Sequence, residues 1–104
     1  MAKIYGNWCG PGWTAGQNIS ARDYLLSGGD FMGPCIDNLD CACRAHDKDC
    51  ANEKGCSAKA DRKLVSVARD VLDNPFDMLF RPKKYAAASI IVPGITAASL
   101  FRQR

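Results

Sequence analysis

The sequence predicts a mainly α protein: two long antiparallel helices, linked by disulfides, behind an N-terminal glycine-rich loop. Three observations carry that expectation. Two segments with good helix caps repeat apolar residues at helical spacing. All six cysteines lie within the first 56 residues. Seven of the nine glycines fall in residues 5–34. A chain of 104 residues holds one domain and buries only a modest share of its surface, so covalent staples suit it. An even cysteine count at this density implies a disulfide framework and an oxidising, extracellular setting, although spacing alone does not choose the pairing.

The elements follow in order. Residues 5–34 read as loop, with one short helix at Ser20–Leu26, capped by Ser20 with Asp23 three residues on and ended by Gly28-Gly29. Helix two starts after Pro34 and runs from Ile36 or Asp37 to Ala51, with Asp37 and Asp40 in the first turn, where the macrodipole favours acid. Leu39, Cys43, His46 and Cys50 recur at spacings of 4, 3 and 4 and share one face. Helix three runs from its cap Ser57 to Asp73 or Asn74, where Pro75 blocks continuation. Its apolar stripe is Leu64, Val65, Ala68, Val71 and Leu72.

The tail divides the chain into a core of residues 1–75 and a segment of residues 76–104. Phe76–Lys84 reads as irregular and basic, and Tyr85–Phe101 as an apolar stretch broken by Pro93-Gly94, short of a bilayer span. That segment either packs on the core or lies at a membrane interface, where Lys83, Lys84, Arg102 and Arg104 would meet anionic lipid. The net charge of +3 permits such contact and is too small to argue for nucleic acid. Met1-Ala2-Lys3-Ile4 carries no apolar leader, so either a leader has been removed or the chain is a domain of a larger protein.

Asp61 is the anomaly that points to chemistry. It falls on the apolar stripe of helix three, where a carboxylate is costly unless paired. The sole histidine, His46, lies on the inward face of the neighbouring helix. Antiparallel packing would bring the two together, fixing the imidazole tautomer and leaving the other nitrogen free as a base. Asp47 points about 100° away from His46 on the same helix and suits a hard cation. Trp8-Cys9-Gly10-Pro11-Gly12 could supply carbonyl ligands at alternate positions.

Two motifs place these residues in a known pattern. Tyr5-Gly6-Asn7-Trp8-Cys9-Gly10-Pro11-Gly12 and Asp40-Cys41-Ala42-Cys43-Arg44-Ala45-His46-Asp47 resemble the calcium loop and active-site helix of the secreted phospholipase A2 family, the loop being most similar to the bee-venom type. The resemblance covers about residues 4–73. It implies an N-terminal calcium-binding loop, with Ca2+ held by the carbonyls of Trp8, Gly10 and Gly12 and by Asp47. It implies His46 as general base, Asp61 as its orienting partner and the Gly10 amide as oxyanion donor. The implied activity is calcium-dependent hydrolysis of the sn-2 ester of glycerophospholipids to lysophospholipid and fatty acid. The implied partner is a phospholipid membrane or micelle surface, with no nucleic acid and no obligate protein partner. The implied location is secreted, or within a virion or larger secreted protein. The resemblance also implies a Cys9–Cys43 disulfide, which would pin the loop to the helix bearing Asp47. Cys35–Cys41 and Cys50–Cys56 would each close a short loop. Ala42 and Asp49 depart from the family's cysteine pattern. Cys50 stands where many members place a tyrosine bonded to the acid, which leaves the partners of Asp61 open.

Two other classes fit the residues less well. A phospholipase-like binding protein without catalysis usually changes the histidine or the metal aspartate, and both are present here. A zinc module could draw on Cys35, Cys41, Cys43, His46 and Cys50, but Cys41 and Cys43 face apart on a helix and no C-x2-C pair exists.

Overall fold

The computed structural model describes residues 2–102 and 104. Five helices follow in order: α1 (Ala21–Leu26), α2 (Asn38–Cys50), α3 (Ala58–Leu72), α4 (Pro75–Phe80) and α5 (Pro82–Ser99). No strand occurs among the described residues; Tyr5 with Cys9 and Thr14 with Gln17 form isolated bridges. The protein is therefore mainly helical, and all six cysteines are joined, as Cys9–Cys43, Cys35–Cys41 and Cys50–Cys56.

Four of the five helices begin on a side-chain cap. Ser20, Asp37, Ser57 and Asn74 each accept a backbone N–H from the first turn that follows. The turn between α2 and α3 needs Gly55 at φ +80° and is clamped by Cys50–Cys56. α3 buries Leu64, Ala68 and Val71, and α5 buries Ala87, Ala88 and Ile91 in the same core. Small side chains on α5 allow this close packing on α3.

The tail differs from its expected form in two places. The segment expected to be irregular contains α4, because Asn74 caps a helix whose first residue is Pro75. A proline that cannot continue α3 is well suited to the first position of the next helix. The stretch expected to break at Pro93-Gly94 instead passes through Pro93 as one helix. Proline in a helix interior costs about 3 kcal/mol, and the burial of Ala87, Ala88 and Ile91 against α3 offsets it. No helix among the described residues is long and apolar enough to cross a membrane.

Three of the four cations that would flank a membrane segment are bonded by groups of the protein itself. Lys84 is buried beside Asp77, with Nζ 3.3 and 3.4 Å from the two carboxylate oxygens. Arg102 bonds Asp61, and Arg104 bonds Asp49 and the Gly55 carbonyl.

The N-terminal loop is held to α2 by more than a disulfide. Asp40 is fully buried, and its carboxylate accepts the backbone N–H groups of Asn7, Trp8 (2.9 Å) and Ile36 (3.0 Å). Gly6, at φ +61°, lies so close to this carboxylate that a Cβ there would overlap Asp40. Trp8 is buried against Tyr24 and Phe31 and donates from Nε1 to the Pro34 carbonyl at 2.9 Å.

Candidate functional site

α2 and α3 each contribute one member of a buried pair. His46 Nε2 lies 2.7 Å from Asp61 Oδ1. His46 Nδ1 has no nitrogen or oxygen partner among the described residues; Cys50 Sγ lies 3.6 Å from it. A carboxylate on one ring nitrogen holds the proton there and leaves the other nitrogen as a lone-pair base. Burial pushes the Asp61 carboxyl up, but hydrogen bonds from Arg102 and then His46 outweigh it, and the group lies below its ordinary value. Asp61 is thus kept ionised on a stripe that is otherwise apolar.

Asp47 is the opposite case. Its Oδ2 is buried and has no hydrogen-bond partner among the described residues. Burial, followed by the charge of Asp40, pushes the carboxyl up to about 8. A buried carboxylate oxygen without a donor is costly unless a cation or proton meets it.

The backbone of the loop is arranged in alternation. The Cys9 carbonyl accepts from Ile4 and Tyr5, and the Pro11 carbonyl from Ala2. The Trp8 and Gly12 carbonyls accept nothing among the described residues, and Gly10 accepts only Trp13 N–H at 3.2 Å, which leaves one lone pair. The Gly10 N–H likewise donates to no described group. Gly10 sits at φ +142°, where a Cβ would overlap the Ala2 carbonyl and approach Ile4 N to 2.8 Å, so only glycine fits.

Trp8, Gly10, Gly12, His46 and Asp47 all line one cavity of about 550 Å³. Its remaining wall is largely apolar, from Ile4, Leu64, Ile91 and Ile95, with Arg102 beside them. Cys9–Cys43 ties the loop to α2 one turn before Asp47, closing a separation of 34 residues. The donor set fits a hard cation, which takes carboxylate and carbonyl oxygens. It does not fit zinc: His46, Cys50 and Cys56 lie close together, but the two sulfurs form one disulfide and offer no thiolate.

Sequence reasoning missed three contributors. Asp40 clamps the loop, and the rule that exposed Asp61 also fits it, since Asp40 precedes Cys43 by three residues on the inward face of α2. The α5 wall of the cavity followed from a helix that the sequence was expected to break. Arg102 reads in sequence only as a cation that would meet anionic lipid if the tail were interfacial; no local signal pairs it with an acid 41 residues away.

The raised Asp47 carboxyl sets a pH dependence. It binds its proton more tightly in the folded state, so its stabilising effect is full below the unfolded value of about 4 and is lost as pH rises through about 8. Chelator-treated protein is therefore expected to melt at progressively lower temperature from about pH 5 to about pH 8, and Asp47→Asn to flatten that slope. Thermal melts of both proteins check this; equal slopes would contradict it. Compared with known proteins, the chain matches no family model, no curated protein and no solved structure.

Proposed function

We propose that this protein is a calcium-dependent phospholipase A2 that cleaves the sn-2 ester of glycerophospholipids. One juxtaposition carries the reading: His46, backed by Asp61, and the Asp47 oxygen that has no partner among the described residues line the same apolar cavity as the loop with unfilled carbonyls. In this reading Asp47 and the carbonyls of Trp8, Gly10 and Gly12 hold Ca2+. The ion, when bound, supplies positive charge that polarises the ester carbonyl.

His46 Nδ1 removes a proton from the attacking water, while Asp61 keeps the other nitrogen protonated and then faces the imidazolium. The Gly10 N–H donates to the oxyanion as it develops. His46 returns its proton to the departing alkoxide, so water adds to the acyl carbon and the lysophospholipid leaves as an alcohol. The Ile4, Leu64, Ile91 and Ile95 wall suits an acyl chain. Leu26, Met32, Leu100 and Phe101 are large, apolar and exposed, which favours contact with a lipid surface over free monomeric substrate. Three disulfides are compatible with an extracellular site of action.

Hydrolysis of phospholipid–detergent micelles across a calcium titration tests the reading. Activity should rise from background with calcium and return to background with a chelator. Calcium binding without turnover on any phospholipid would identify a binding protein instead.

A further inference from the structure

We propose that Arg102 is a positioning residue for the His46–Asp61 pair, its guanidinium holding the Asp61 carboxylate where that carboxylate receives the His46 Nε2 proton. The inference rests on the reading of His46 as the base and names a partner that neither motif contains.

The geometry is that of a fork. Arg102 Nε lies 2.8 Å from Asp61 Oδ2, and Nη2 lies 3.3 Å from Oδ1, the oxygen that also meets His46. Asp61 is 1% exposed and stands on the apolar stripe of α3. With His46 as its only partner, Oδ2 would be bare in that setting, and the carboxylate would be drawn to rotate toward water or to take a proton. Either change loosens the hold on Nε2. The planar guanidinium fixes both oxygens at once, which a lysine ammonium cannot do.

The arginine is itself held from both sides. Before it, α5 packs on α3. Beyond it, Arg104 donates to the Gly55 carbonyl at 2.9 Å and to Asp49 Oδ1 at 3.1 Å, and its own carbonyl accepts Ala58 N–H at 2.8 Å. These anchors sit at the Cys50–Cys56 turn, next to the start of α3. Arg102 thus stands between α5, packed on α3, and Arg104, bonded to the turn that leads into α3 and to its first residue. Arg102 also lines the cavity.

The test uses Arg102→Gln and Arg102→Lys in the full chain, with folding checked by circular dichroism. In micellar hydrolysis, kcat is expected to fall about 10- to 100-fold in Arg102→Gln. KM and the calcium midpoint should stay close to parent values. Arg102→Lys should fall between, and added methylguanidinium should restore part of the activity of Arg102→Gln. A second readout needs no turnover. His46 is the sole histidine, so its imidazole nitrogens give one NMR signature. The hydrogen-bonded Nε2 proton signal should be sharp in the parent and broadened or lost in Arg102→Gln. Parent-like kcat in Arg102→Gln, or an unchanged Nε2 proton signal in either folded variant, would overturn the inference. A parent without phospholipid hydrolysis would instead defeat the functional reading, and the imidazole signal would still decide the role of Arg102.

Discussion

His46→Gln is expected to lower calcium-dependent hydrolysis of micellar phospholipid by about 10³-fold or more, because it removes the imidazole to which the proposed function gives the role of general base. Glutamine is close to histidine in size and can still donate one N–H to Asp61, so the buried carboxylate keeps a partner and the fold should hold. Calcium binding should survive, since Asp47 and the loop carbonyls are untouched. Initial rates, with near-ultraviolet circular dichroism as a folding control, measure the effect. A variant retaining a tenth or more of parental activity would show that His46 is not the base.

Asp40→Ala should produce the largest loss of stability. The carboxylate accepts the N–H groups of Asn7, Trp8 and Ile36 and is fully buried. Each buried donor left without an acceptor costs about 1–3 kcal/mol. Three such donors together cost about 3–9 kcal/mol, a large share of the stability of a small domain. Chemical denaturation of parent and variant checks this, and a loss below about 1 kcal/mol would contradict it. The Cys9–Cys43 bond would still tether the loop in Asp40→Ala. Calcium affinity is therefore expected to fall without vanishing.

What could be read from the residues was local. α1, α2 and α3 have caps at Ser20, Asp37 and Ser57, and α2 and α3 carry apolar spacing in phase with a helix, so their extents were legible to within a residue or two. Asp61 was legible because a carboxylate on an apolar stripe conflicts with its surroundings. α4 was not, because Pro75 signals the end of α3 and equally begins the next helix, and the residues after it carry no clear helical stripe. α5 was expected to break at Pro93, where tertiary packing prevails over intrinsic propensity. Arg102 was out of reach: its contact with Asp61 depends on the path of α5 and on the anchoring of Arg104, neither of which leaves a mark near residue 102.

The burial pattern also separates the acids by role. Asp40 is met by backbone donors and Asp61 by His46 and Arg102, whereas Asp47 keeps a buried oxygen without a donor among the described residues. Two satisfied carboxylates organise the site; the unsatisfied one is the oxygen that the proposed Ca2+ would meet.

The most direct measurement offers the protein a glycerophospholipid with different acyl chains at sn-1 and sn-2, in mixed micelles, with calcium or with a chelator. Products are identified by mass spectrometry. Free fatty acid from sn-2 alone and the matching lysophospholipid are expected, formed with calcium and absent with the chelator. Release of the sn-1 chain, or turnover undiminished by the chelator, would contradict the proposed function.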